Sequence, residues 1–425
     1  MDFRTPRPLA LALASVIVVA TGCASSPLHE AARAGRWEAL RTELENENAR
    51  ERLDADEIRA LATTVLAREI DATSDEEAKL AIERIRPCAT WMAAPLERRA
   101  KAGGNAAAAA KLALYEAALA GRGLVAEHEE DADPVFRAVG TRALVRAEDS
   151  ALRRARMVDA DERVRIQALA AAVHARDPND ADVLLETARL DPSPTARTMA
   201  IRAAGALGGA EIASRLRDLW SSVDEAGRRA IVEAWATPKT AETGGLEQLR
   251  RVVETESGSA AVLAAAMLAK QDAGSATKAK SLLARSIAGG PLRDRLLAIR
   301  RAPLDDEAIT PALRTASTDS DVTIRVAALG RLTESPTDRE AALAALASLA
   351  ETGVLSAAVG LARAQDARGV EHLRKALTVP DPELRATTGK GLVEAGEYRS
   401  AAELLGDESP QVRAEIGCAL LNALR

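Results

Sequence analysis

Aromatic side chains are nearly missing from this sequence: Trp, Tyr and Phe together make up 2% of its 425 residues. β-Sandwiches and barrels draw on aromatic and β-branched residues, so an all-β core is excluded. The same scarcity disfavours a sugar binder, which stacks rings on aromatic faces. No basic block stands out. The chain has 57 Lys and Arg against 63 Asp and Glu, a net charge of −6, so nothing marks nucleic acid as a partner. Cysteine is reduced to Cys23, Cys88 and Cys418, and no pair has zinc-ligand or redox spacing. Sustained apolar/polar alternation is missing, which removes strands. No P-loop, GxSxG, HExxH or GxGxxG occurs in usable context. No cofactor and no small-molecule substrate is expected.

What the sequence does have is alanine. Hydrophobic residues reach 47%, enough for a buried core, and small side chains suit helices packed closely on helices. At its start, Arg4 and Arg7 precede the twelve apolar residues Leu9 to Ala20. That stretch is too short to span a bilayer, which needs about 20 residues, and fits a signal-peptide core. It ends in Ala20-Thr21-Gly22-Cys23. These residues resemble the bacterial lipobox, with Ala20 where leucine is usual. The resemblance implies that residues 1–22 are removed and that Cys23 is lipidated. Each buried CH₂ of the acyl chains is worth about 0.8 kcal/mol. Ala24 after the cysteine implies, on the same resemblance, the periplasmic face of the outer membrane. Ser26-Pro27 reads as a helix start, with a cap and proline at the first helical position. Residues 23–26 then form only a short tether.

A repeat dominates the rest. An Asp-containing turn, then Arg, then small apolar residues ending in Leu recurs from Asp133, Asp161, Asp191, Asp319, Asp381 and Asp407. Its arginines are Arg137, Arg165, Arg197, Arg325, Arg385 and Arg413. The fixed place of each arginine beside an Asp turn predicts pairing with turn carboxylates and carbonyls, although a basic ladder is the functional alternative. Asp, Ser and Pro start helices, and apolar residues then follow at three- and four-residue spacing, as in Ile201, Ala204, Gly205 and Leu207. These copies resemble the short bacterial HEAT-type repeat, also found in phycobilisome-lyase-like proteins, over residues 131–425. The expected fold is all-α, an α-α superhelix of stacked hairpins in which no hairpin buries its apolar face alone.

Residues 27–123 are less regular. They begin SPLHEAARAG, which resembles one ankyrin repeat and predicts a helix pair capping the stack. Lys101 to Ala110 is a plausible break before the repeats. Cys88 and Cys418 lie far apart in sequence, and distant repeats of a solenoid do not touch. Two separate buried thiols, with no disulfide, are therefore expected. Apolar Cys418, Leu420 and Leu421 near the far end either face inward or form a docking surface. Trp220 and Trp235 fall at apolar helical positions and read as core.

His29, His128 and His372 each neighbour a glutamate, and His174 completes the histidines. Deoxyhypusine hydroxylases hold iron through His-Glu pairs on successive repeats, but here the pairs stand in unrelated contexts, so no metal site is expected. The second helices of HEAT hairpins usually line the concave face. On that placement Arg215, Arg217, Arg250, Arg251, Arg285 and Arg314, with Lys278 and Lys280, form a candidate basic groove for an acidic partner. The sequence thus reads as a lipid-anchored scaffold for envelope proteins. A helical-repeat enzyme or its accessory factor is the alternative.

Overall fold

The computed structural model describes residues 26–272, 274–304 and 306–424, and every regular element among them is a helix. Cys23 and the signal-peptide reading lie outside the described residues. No described helix is long and apolar enough to cross a membrane.

The turns show why the chain breaks into hairpins where it does. In Asp159-Ala160-Asp161 the first carboxylate accepts the backbone N–H of Asp161, and the second caps the next helix by accepting from the N–H of Arg163. Asp191/Ser193, Asp319/Asp321 and Asp407/Ser409 use the first position in the same way. A cap of this kind is worth about 0.5–2 kcal/mol. Each turn launches the first helix of a hairpin.

The first helices make one layer. Following the chain, Asp75–Ile85, Gly104–Glu116, Pro134–Thr141, Glu162–Ala175, Pro194–Leu207 and Glu225–Trp235 lie flank to flank. Ser259–Gln271, Leu292–Arg301, Val322–Leu332, Leu355–Arg363, Pro382–Glu394 and Pro410–Ala423 continue the row. Small residues let them approach: a Cβ on Gly205 would fall 2.5 Å from the Cβ of Ala234 on the next helix of this layer. The second helices mostly stand further apart. A curved two-layer array is tighter on its inside, so the first helices are the inner layer. One concave depression lined by four successive first helices agrees with that placement.

The row does not end in two free faces. Pro410–Ala423 packs against Asp75–Ile85 and, more extensively, against Ala55–Ile70. Ala55–Ile70 occupies the outer position between those two inner helices. One hairpin is therefore assembled from the two ends of the sequence, and the array closes into a ring. The helix pair Pro27–Ala34 and Trp37–Glu45 covers the join. The first helix of the pair lies on Ala55–Ile70, and the second meets Glu403–Gly406, where a Cβ on Gly406 would fall 2.6 Å from the Arg41 backbone nitrogen. This helix pair thus seals the meeting of both ends.

Closure overturns the expectation for the cysteines. Cys88 and Cys418, separated by 330 residues, form a disulfide with their Cα atoms 5.3 Å apart. The premise that distant repeats stay apart holds for an open solenoid and fails for a ring. Cys418, Leu420 and Leu421 are buried at this join, so the inward-facing alternative is the one observed. The main apolar core runs from Leu28 to Leu424, through both segments read from the sequence, with a small separate cluster at Ala108, Val125, Val139 and Ala143. The Lys101–Ala110 stretch opens the inner helix Gly104–Glu116, packed between its neighbours.

Candidate functional site

The repeated arginines form a ladder inside the turns. Arg165 donates from Nη1 to the carbonyls of Asp159 and Ala160 in its own turn, at 3.0 and 3.1 Å. Its Nε and Nη2 clasp the Asp191 carboxylate of the next turn at 2.7 and 3.0 Å. Arg385 repeats this with Val379 and Pro380 behind it and Asp407 ahead. Arg137 reaches Asp159 in the same manner. Arg197 and Arg325 keep the carbonyl half of the pattern. Arg137, Arg165 and Arg385 act as clasps between neighbouring hairpins, and all five pair with turn groups as their register predicts.

Arg413 belongs to the last turn of this kind and finds its carboxylate across the join. Its Nε donates to Glu69 at 2.7 Å, while Nη1 holds the carbonyls of Asp407 and Glu408. The Trp37 ring lies 4.1 Å from its guanidinium carbon. Both charged partners are buried, and burial lowers the Arg413 pKa against the pull of Glu69. Arg50 to Glu403, Arg59 to the Leu424 carbonyl and Arg399 to the Leu53 carbonyl complete the seam. Sequence reasoning missed Glu69 and Trp37. The available signal was a ladder arginine with no Asp turn following it.

The basic groove expected on the second helices has a different position. Arg215 and Arg217 lie on Ala210–Leu219, Arg250 and Arg251 on Leu246–Thr255, Arg285 on Ala276–Ala288 and Arg314 on Ile309–Ala316. These helices belong to the outer layer, so the residues do not line the concave face. Several are already paired. Arg215 meets Asp182 at 2.7 Å, Arg250 meets Asp272 at 2.9 Å and Arg314 holds Asp338 at 2.7 and 3.1 Å. Arg250 draws Asp272 down to a pKa of about 2. Lys278 and Lys280 pair with Glu254 and Asp306. Arg217 bonds the Ser214 hydroxyl, while Arg251 and Arg285 are exposed. The outer layer thus carries a charge lattice that ties hairpin to hairpin.

The concave face is built from the first helices. A depression of about 490 Å³ crosses Leu292–Arg301, Val322–Leu332, Leu355–Arg363 and Pro382–Glu394. Its floor is apolar and small, from Leu296, Val326, Ala327 and Val359. Thr323, Ser356 and Thr387 supply hydroxyls. Arg300, Arg331 and Arg363 supply one guanidinium per hairpin, with Glu334 among them. Arg331 is fixed by the Ala302 carbonyl and by Glu334, and Arg363 meets Glu394 at 2.6 Å. A second, smaller concave hollow of about 280 Å³ lies across the four inner helices from Asp75–Ile85 to Glu162–Ala175.

The histidines are scattered. His29 bonds the Thr64 hydroxyl at 3.3 Å, His128 sits between Lys111 and Asp131, and His174 contacts Arg142. Among the described residues no group of three His, Cys, Asp or Glu side chains gathers to hold a metal ion. Trp235 is buried, stacks on Trp220 at 5.5 Å and donates to the Ala213 carbonyl at 3.1 Å. Both tryptophans serve packing.

No protein-family model matches this chain, and no curated protein matches it. Among solved structures, an engineered protein from a structural genomics programme overlaps with a TM-score of 0.29 at 18% identity, covering 87% of this chain and 99% of its own. A homology model of the full-length AP-3 complex in an intermediate open conformation gives 0.35 at 10% identity, over 85% of this chain and 72% of that one. A Kap121p mutant gives 0.31 at 13% identity, over 91% of this chain and 51% of that one. Overlaps this loose assign no family.

Proposed function

We propose that this protein is an exported lipoprotein, anchored through Cys23, that acts as a binding scaffold for proteins of the bacterial cell envelope. The observation that carries the reading is the concave surface shared by successive hairpins, which suits an extended protein ligand better than a compact metabolite. The address is supported by a second feature. A disulfide between Cys88 and Cys418 accords with an oxidising compartment outside the cytosol. Ala24 after the cysteine implies the outer membrane, and the short tether Ala24 to Ser26 would hold the ring close to that surface.

Crosslinking in intact envelopes, followed by affinity capture of the lipidated protein, tests the proposal, with Cys23→Ser as the control. The expected result is a stoichiometric protein partner that disappears in the control, together with loss of detergent-phase partitioning by the variant. A variant that still partitions with lipid would sink the anchor. A correctly anchored, folded ring that captures no protein would sink the scaffold.

A further inference from the structure

Gly330 and Gly360 lie inside inner helices, Val322–Leu332 and Leu355–Arg363, where glycine costs about 1 kcal/mol relative to alanine. Neither has the positive φ that would demand glycine. Packing does not demand it either. A Cβ on Gly330 would meet nothing within 4 Å, and one on Gly360 would meet only Leu346 at an ordinary 3.5 Å. Gly205 differs, since a neighbouring helix presses on it. Both unforced glycines line the same concave depression. What they leave open is access to the helix backbone from the lumen, a common reason for glycine where a ligand comes close.

The polar groups around this floor follow the repeat. Thr323 and Ser356 stand at matching positions near the starts of adjacent inner helices, and Arg300, Arg331 and Arg363 stand near the ends of three. Adjacent packed helices are spaced about 8–10 Å apart. A polyproline-II segment has three residues per turn and rises about 3.1 Å per residue, so every third side chain recurs on one face about 9 Å on. A β-strand repeats a face at about 6.7 Å and falls out of step. Arg363 and Glu394 are 64% and 44% exposed. Ion pairs that exposed are worth about 0–1 kcal/mol, so Arg363 can exchange its partner for a ligand carboxylate.

We propose that this groove binds an extended, polyproline-II-like segment of a partner protein that carries an acidic residue at every third position. The proposal rests on the scaffold reading and adds to it a site, a partner chemistry and a register. The peptide backbone lies over Gly330 and Gly360, and its carboxylates meet the arginine row at the same end of these helices.

The test is fluorescence anisotropy on full-length lipidated protein in detergent, with a labelled peptide of four Glu-Pro-Ala triplets. The comparison is a peptide of equal composition with its glutamates in one block. The in-register peptide is expected to bind about tenfold tighter or better, a difference of about 1.4 kcal/mol. The Gly330→Leu, Gly360→Leu double variant is expected to lose about tenfold or more in affinity while its melting temperature holds or rises. Arg300→Glu, at an exposed side chain, is expected to weaken binding without touching the floor. Equal binding of the two peptides, or undiminished binding by a folded leucine variant, overturns the proposal. If envelope capture finds a partner while neither peptide binds, this site falls and the scaffold stands. Register-specific peptide binding with no captured partner leaves the site and removes the scaffold.

Discussion

Arginine in this protein works as a clasp because its planar fork reaches two directions at once. One nitrogen caps the carbonyls of its own turn and the other two grip the next turn's carboxylate, as at Arg165 and Arg385. Lysine, a single point donor, could not serve both. Arg153 is the most enclosed case. It is fully buried, held by Asp180 at 2.6 Å and Asp177 at 2.9 Å, and burial raises the Asp180 pKa. Arg153→Ala should destabilise the protein by about 3–5 kcal/mol in denaturant titrations, the usual cost of stranding a buried charge. At the seam, Arg413→Ala should cost a similar amount. The Arg413→Met, Glu69→Leu double variant should recover most of it, since apolar replacement of both partners removes the stranded ion. If the double variant is as unstable as the sum of the single ones, the pair is not the seam's energetic centre. The ladder itself was legible in the sequence, because Asp turn and arginine recur in fixed register. Glu69 was not, because it lies 344 residues upstream of Arg413 in a segment without repeats.

Acid should loosen the turns. Hydrogen bonds from Arg163 hold Asp161 at about pH 2 against an ordinary 3.8, and Arg250 does the same for Asp272. A depressed carboxylate pKa contributes stability that is fully present above the unfolded value and is lost as pH falls through the folded one. Stability measured by urea midpoint should therefore fall between about pH 4 and pH 2. Asp161→Asn should flatten that fall while keeping a capping side chain, and an unchanged pH profile would remove Asp161 from the account.

At the level of helices, the ring depends on one hairpin made from two remote parts, Ala55–Ile70 and Pro410–Ala423. Hairpin boundaries were readable from capping residues and three- and four-residue spacing. The inner and outer assignment was not, because it follows from curvature and from which layer packs more tightly. That reversal is why Arg215, Arg250 and Arg314 belong to the outer lattice, while Arg300, Arg331 and Arg363 line the concave side. Leu66 sits 2.9 Å from where a Cβ on Gly417 would fall. Gly417→Val should accordingly force the two halves of the hairpin apart. An expected loss of about 1–3 kcal/mol, typical of overpacking, would show as a lower melting temperature. No change would mean that the join has slack.

For the molecule as a whole, the disulfide closes a circuit of 330 residues. Loop-closure entropy for so long a span is about 6 kcal/mol, if the unfolded chain behaves as a random coil. Cys88→Ser and Cys418→Ser should each lower the melting temperature clearly. The small-angle scattering radius at room temperature should stay the same, because the seam's apolar core and the Arg413–Glu69 pair remain. A radius that grows on reduction would show that the covalent bond alone holds the ring shut. The circuit also sets a timetable. Ribosomes add about 5–20 residues per second, so the segment bearing Cys418 is made on the order of tens of seconds after Cys88. Through that interval the face of Ala55–Ile70 that carries Leu66 and Glu69 has nothing to lie against, and a nascent chain in that state is a client for a holding chaperone.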